Sequence, residues 1–416
     1  MYSKREVFTL CFILFCVIIQ VLVFSYIIFN QLVLMSSMKS EVGNIELDQV
    51  VIFSRHGIRT PLSKNLKKMT PYTWPEWKEK PGFLTDKGYL LEGYMGEYFS
   101  KWLTKEGILQ KHCPSEDDFY AYANSIQRTI YSANAFVSKC FPNCNITVHY
   151  NDVNETDPVF APYIHNSTEI FKKMALKQML NVLNKLKINY NKIESILDYK
   201  DSDLCVTNNE CDMNVVVNKI NIVAGKKPKL SGPLKLSKEA IDAFLMEYYS
   251  GFDFDDVAWG QLHEREWSSI LNLFNGYHSV EYQTDLVAKD IARPLIKYLK
   301  NIFLNKSAKV TLLMGHDSNI IVLLKAMSFK PYFLRDSLIS TPIGGKIVFE
   351  KWLDKSIDKY LLRINYVYQS NDQLRDGLVL SMDNPPQKVL LELENCVVDN
   401  QGFCLWDDFI MFLNQL

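Results

Sequence analysis

The stretch DQVVIFSRHGIRTP, residues 48–61, decides how the rest of the chain is read. From Asp48 to Ser54 it is a short, β-branched, nearly continuous apolar run, the pattern of a strand buried on both faces. It stops at Arg55-His56-Gly57, the pattern of a tight turn at the edge of a sheet where catalytic groups gather in α/β proteins. The turn sets one imidazole between two guanidiniums, Arg55 and Arg59. Guanidiniums present fixed forks of donors to phosphate oxygens, and a neutral imidazole nitrogen among them can attack phosphorus in line. The flanking positive charge also lowers the histidine pKa, which keeps the nucleophile free at acidic pH. The pattern R-H-G-x-R-x-P arises by chance in roughly one chain in ten thousand of this length. His56 is therefore read as a nucleophile, not as a core histidine beside surface arginines.

Two further stretches complete a phosphate site. Met314-Gly315-His316-Asp317-Ser318-Asn319 ends another expected strand, Lys309 to Met314, and opens a helix from Ser318. Displacing an alkoxide from phosphorus needs a proton for the leaving oxygen, so Asp317 is the candidate general acid and His316 a further donor to the phosphate. The plainer alternative makes Asp317 an N-cap of that helix. In Tyr122-Ala123-Asn124-Ser125-Ile126-Gln127-Arg128-Thr129, Ser125 or Asn124 caps an expected helix and Arg128 sits in its first turn. A cation there opposes the helix dipole, which a bound anion would explain and a surface salt bridge would not require.

The surrounding pattern is an α/β layer. Helices are expected at Leu90 to Leu103 and Ser125 to Lys139, and strands at Phe119 to Ala123, Thr147 to Tyr150, Lys346 to Phe349, Lys359 to Tyr366 and Val389 to Leu393. Residues 167–275 are helix-rich, broken by Lys, Asn and Gly around 218–236, and suggest an inserted helical cap. The chain has 416 residues, 48% of them hydrophobic, enough to bury a large core. Its 46 Lys+Arg against 47 Asp+Glu leave no field that would draw it to nucleic acid or an anionic membrane surface, so any anion site is local.

Val7 to Met38 holds no charged residue, Val7 to Phe29 is apolar enough to span a bilayer, and Lys4 and Arg5 precede it. An uncleaved anchor or a long signal peptide is expected, with everything after about Lys39 outside the cytoplasm. Cys11 and Cys16 fall in this segment, leaving seven cysteines in the body, an odd number that predicts three pairs and one free thiol. The sequons at Asn145, Asn154, Asn166 and Asn305 matter only in a eukaryotic secretory pathway.

Beyond these motifs the chain resembles the histidine acid phosphatases of the bacterial periplasm, the glucose-1-phosphatases foremost and the related phytases next. The resemblance covers roughly residues 45–415 and rests on TPYTWPEW at 70–77, LTDKGYLLEGYMGEYFSKWL at 84–103, YANSIQRT at 122–129, SGPLKL at 231–236, GHDSNI at 315–320, TPIGGKIVFEKW at 341–352 and GFC at 402–404. It implies a phosphoglycerate-mutase-like α/β domain, residues 41–165 and 285–416, interrupted by a mostly α-helical cap at 166–284, after an N-terminal hydrophobic segment within 1–40. It also implies an active site between the two parts, without metal or cofactor. His56 would be the nucleophile, Arg55, Arg59, Arg128 and His316 the phosphate ligands, and Asp317 the proton donor. The family's cysteine pattern maps onto Cys113/Cys144, Cys205/Cys211 and Cys396/Cys404, leaving Cys140 unpaired.

Two departures bear on specificity. Glucose-1-phosphatases carry Asn-Leu after the catalytic histidine where this chain has Gly57-Ile58. They also place an acidic residue before the proline that precedes SGPL, on a loop over the active site, where this chain has Lys226-Lys227-Pro228. The expected function is an extracytoplasmic acid phosphomonoesterase, periplasmic or secreted, acting on sugar phosphates or inositol phosphates. A phosphotransferase and a noncatalytic membrane-tethered binder of phosphorylated ligands are the alternatives.

Overall fold

Strand Ile45–Arg55 (β1) places Val51 and Phe53 in one hydrophobic core and Val50 and Ile52 in another, so alternate side chains are buried on opposite faces. That is why the run shows no polar alternation. In the computed structural model, the described residues are 45–416, apart from 111, 153–154, 263–265 and 306–307, together with Phe24. The expected membrane-spanning or signal segment, residues 7–29 within 1–40, lies outside the described residues apart from Phe24.

The remaining strands are Phe119–Ala123 (β2), Val148–His149 (β3), Lys219–Asn221 (β4), Lys229–Ser231 (β5), Val310–Gly315 (β6), Lys346–Asp354 (β7), Lys359–Tyr368 (β8), Gln387–Leu391 (β9) and Cys404–Leu405 (β10). The large sheet runs β10-β8-β7-β1-β6-β2-β3, with β9 beside β8. It is mixed: β1, β6, β2 and β3 pair in parallel, while β7, β8, β9 and β10 are antiparallel to their neighbours. Parallel neighbours need long crossovers, and helices supply them.

Those helices are Asp86–Lys105 (α1), Gln127–Cys140 (α2), Glu169–Lys185 (α3), Asn191–Leu197 (α4), Asp203–Asn208 (α5), Pro233–Ser250 (α6), Trp267–Tyr282 (α7), Asp285–Leu304 (α8), Asp317–Ala326 (α9), Asn371–Arg375 (α10) and Trp406–Leu413 (α11). Helix α1 buries Leu91, Met95, Phe99 and Leu103, one side chain per turn, and begins where the Thr85 hydroxyl accepts the Gly88 N–H at 3.0 Å. Helices α3 to α8 and the β4-β5 hairpin fall between β3 and β6, which accounts for the helix-rich middle of the sequence.

Helix α1 approaches the turn after β1 closely. A Cβ at Gly88 would lie 2.2 Å from the Ile58 carbonyl oxygen, and one at Gly57 would lie 2.8 Å from the Gly88 carbonyl oxygen. Behind that turn, the fully buried Lys346 ammonium reaches Glu92 at 2.9 Å, the Ser54 hydroxyl at 2.8 Å and the Gly344 carbonyl at 2.9 Å. Removing either charge would strand the other in the core, at a cost of about 3 to 5 kcal/mol.

The disulfides Cys113–Cys144, Cys205–Cys211 and Cys396–Cys404 are formed, and Cys140 is a buried free thiol. In the chain-entropy model the first, closing 31 residues, stabilises by about 3 to 4 kcal/mol and the short loops by about 2 each. Three such bonds fit an oxidising, extracytoplasmic compartment.

One buried carboxyl contributes stability on the acid side. Glu247 on α6 accepts the Ala258 N–H at 3.2 Å, but its other oxygen has no partner among the described residues. Burial pushes its pKa up from 4.5 to about 8. Folded protein therefore holds this proton over a range where unfolded chain has released it. The contribution is complete below the unfolded pKa and is lost as pH rises through the folded one. Glu247→Gln, neutral throughout, should leave stability at pH 4.5 nearly unchanged and raise it at pH 7.5 by on the order of 2 kcal/mol. Thermal melts at the two pH values measure this; parallel shifts at both would exclude Glu247 as the source.

Candidate active site

Register brings the three motifs together. On β1 and β6, Arg55 pairs with Gly315, and on β2 and β6, Ala123 pairs with Met314. The ladder continues past the strands, with the His56 N–H donating to the Gly315 carbonyl and the Asn124 N–H to the Met314 carbonyl, both at 3.0 Å. His56, His316-Asp317 and the Asn124–Arg128 segment thus leave the sheet side by side at its carboxyl edge.

Both following helices begin there, with N-termini that favour an anion. Their caps differ from expectation. Helix α2 starts at Gln127 after Ile126, with no side-chain cap, so neither Asn124 nor Ser125 has that role; the Asn124 carbonyl instead accepts the Thr129 hydroxyl at 2.7 Å. On α9 the cap position belongs to His316, whose N–H donates to the Asn319 side chain at 3.0 Å. Asp317 is the first helical residue and accepts the Ser318 N–H at 2.7 Å.

The two histidines take opposite tautomers. His56 Nδ1 lies 2.8 Å from the Gly57 carbonyl, which can only accept, so Nδ1 carries the proton and Nε2 keeps a lone pair. Arg128 donates to His316 Nδ1 at 3.4 Å, which leaves His316 Nε2 as a donor. The rings meet edge to face with centroids 5.4 Å apart. Burial, and then the positive charge of Arg128, holds both imidazoles well below the ordinary value, with Arg55 and Arg59 adding to the effect on His56. Both are neutral in mild acid.

A cavity of about 510 Å³ opens above them, lined by His56, Arg59, Arg128, Lys227, His316 and Asp317 among others. Arg55 is not in its wall. It is 1% exposed, beneath the floor, donating to the Thr341 carbonyl and lying 3.3 Å from Asp317. Arg59 is clamped by Asp242 of α6 through two bonds of 3.1 and 3.0 Å. Burial pushes the Asp242 carboxyl up, but Arg59 and Lys238 outweigh it and hold the pKa at about 2. The Nε–H groups of Arg55, Arg59 and Arg128 are all buried without a partner among the described residues; Arg59 and Arg128 border the cavity, whereas Arg55 lies outside its lining. At Asp317, burial pushes the carboxyl up, but Arg55 leads the charges that hold it well below the carboxylate range.

A profile of the histidine phosphatase superfamily (branch 2) matches residues 46–367. The chain belongs to this family. This histidine acid phosphatase is 41% identical over 379 residues to a glucose-1-phosphatase of Providencia rettgeri, covering 88% of this chain and 91% of the relative. It is 40% identical over 380 residues to a glucose-1-phosphatase of Salmonella typhimurium, covering 89% and 92%. Among solved structures it resembles a Hafnia alvei phytase at 28% identity, covering 89% of this chain and 97% of the phytase. The TM-score is 0.81 for the apo form and 0.78 for the complex with myo-inositol hexakis sulphate. The mixed sheet with its flanking helices is the fold of histidine acid phosphatases and phytases.

The two departures from glucose-1-phosphatases fall in different places in this histidine acid phosphatase. Neither Gly57 nor Ile58 lines the cavity; both pack against α1. Lys227 does line it, on a loop held by the bonds Ile164 N–H to Lys226 carbonyl, 3.0 Å, and Gly225 N–H to Ile164 carbonyl, 2.8 Å. Its side chain keeps an exposed surface, yet it sits deep enough in the mouth for burial to lower its pKa, against the pull of Glu281 and Asp317.

Motif spacing does not reveal Lys238, Asp242, His278 or Glu281, which α6 and α7 contribute to the cavity. The available signal is polar and titratable residues in otherwise apolar helices. Nothing local says that those positions face the sheet edge.

Proposed function

We propose that this acid phosphatase hydrolyses small phosphomonoesters of polyols, glucose 1-phosphate and other sugar phosphates first and inositol phosphates second, through a phosphohistidine on His56. The observation that carries the reading is a neutral His56, its Nδ1 proton held by Gly57, at the floor of a cavity that Arg59, Arg128 and His316 also line. Nε2 attacks phosphorus, Arg59, Arg128 and His316 hold the phosphoryl oxygens from the wall, Arg55 adds positive charge from below, and Asp317 gives its proton to the leaving oxygen. Water then gives a proton to the Asp317 carboxylate as its oxygen takes the phosphoryl group from His56, which restores the free imidazole and the acid. Residues 41–165 with 285–416 form the phosphatase domain, and 166–284 cap it. The protein works outside the cytoplasm, periplasmic or secreted, with residues 7–29 as anchor or signal. The relatives named for glucose-1-phosphatase activity and the inositol hexakis sulphate complex of the phytase support the substrate class.

The test is release of inorganic phosphate at pH 5 from glucose 1-phosphate, other sugar phosphates and an inositol polyphosphate, in the parent and in Lys227→Glu. Glu281, whose charge acts on Lys227, has its pKa raised by burial to about 7, so at pH 5 it is mostly neutral and Asp317 is left as the carboxylate that acts on the ammonium. Lys227→Glu should move preference toward glucose 1-phosphate by about two- to fivefold at low ionic strength, and added salt should narrow the change. An unchanged ratio makes Lys227 an ordinary solvated lysine. No phosphate released from any ester overturns the function.

A further inference from the structure

His278 on α7 has no part in the phosphohistidine chemistry, yet it lines the same cavity as His56 and Asp317. It is 7% exposed, and neither ring nitrogen has a hydrogen-bond partner among the described residues. A buried imidazole with both nitrogens unpaired is costly to keep. Aromatic packing fixes its orientation: Tyr282 stacks on it at 22° with centroids 6.2 Å apart, while Phe274 at 4.8 Å and Tyr277 at 5.6 Å meet it edge on.

Position and chemistry indicate what it binds. The phosphoryl group belongs at the sheet edge among the arginines, so the leaving alcohol extends into the cavity, whose wall α6 and α7 share with residues 155–163. The charge of Asp317, the proposed donor to the leaving oxygen, acts on His278. Burial, the largest influence, lowers the imidazole pKa to about 4, leaving it neutral at pH 5 with one N–H and one lone pair. A hydroxyl group also offers one donor and acceptor lone pairs.

We propose that His278 is a specificity residue that hydrogen-bonds a ring hydroxyl of the leaving alcohol, so that the site favours polyol phosphates over phosphates of plain alcohols. This rests on the function proposed above.

The experiment compares myo-inositol 1-phosphate with cyclohexyl phosphate, the same ring without its hydroxyls, and with phenyl phosphate, in the parent, His278→Phe and His278→Gln. Phenylalanine matches the ring in its aromatic surroundings but forms no hydrogen bond; glutamine keeps a donor and an acceptor. In His278→Phe, kcat/KM for the inositol ester should fall about three- to tenfold more than for cyclohexyl phosphate, and His278→Gln should recover most of that difference. Equal losses on the inositol and cyclohexyl esters, with phenyl phosphate spared, would show His278 acting through Asp317 and overturn the proposal. Equal losses on all three, which also covers a misfolded variant, would overturn it if His278→Gln, folded by circular dichroism, gave the same pattern. A parent inactive on every ester fails the phosphatase function itself; an active parent whose ratio does not move fails His278 alone.

Discussion

Replacing His56 with alanine is expected to reduce turnover by about 10⁴-fold or more, because nothing else at the sheet edge can form the covalent intermediate. The neighbouring imidazole cannot substitute: His316 turns its lone pair toward Arg128 and its N–H outward. Quenching the parent during turnover should leave an acid-labile phosphoryl group on the peptide containing His56, found by mass spectrometry, and none in His56→Ala. The physical basis is the tautomer and the depressed pKa. With burial, Arg128 and His316 all disfavouring the imidazolium, Nε2 stays a nucleophile in acid where an exposed histidine would be mostly protonated. Activity should therefore persist well below pH 6 and fall only as pH approaches the depressed His56 value. An active His56→Ala protein would end this mechanism.

Asp317→Asn should slow formation of the phosphoenzyme from alkyl phosphates by about 10² to 10⁴-fold and from aryl phosphates far less, since only the poor leaving group needs a proton in the transition state. Single-turnover release of alcohol or phenol isolates that step from later hydrolysis. In the free site Arg55, 3.3 Å away, helps to keep the carboxyl ionised. A phosphate group among the arginines offsets that field and places negative charge beside Asp317, which raises its pKa. The proton therefore arrives with a monoanionic ester. Equal losses on both ester classes would remove Asp317 from the acid role.

The turn after β1 and the turn after β6 were legible in the sequence because each signal is local: a buried strand, then charged residues that a core would not tolerate unpaired. The helix-rich middle and the three cysteine pairs were likewise anticipated, the pairs through family resemblance. Boundaries were less clear. A cap-forming Asn or Ser at 124–125 looked sufficient, but pairing of Asn124 with Met314 drew it into the sheet edge and moved the helix start to Gln127.

By itself, then, the sequence determined which residues are candidates for the phosphoryl site, since His56, the arginines and Asp317 lie within a few residues of strand ends. Tertiary structure alone decided how those groups are held and what lies opposite them. Arg55 is sealed under the floor against Thr341, and Arg59 is clamped by an aspartate 183 positions away. Gly57 touches a helix and Lys227 reaches the cavity. Part of the cavity wall comes from α6 and α7, whose facing residues are set by packing between distant segments, and no local pattern encodes that.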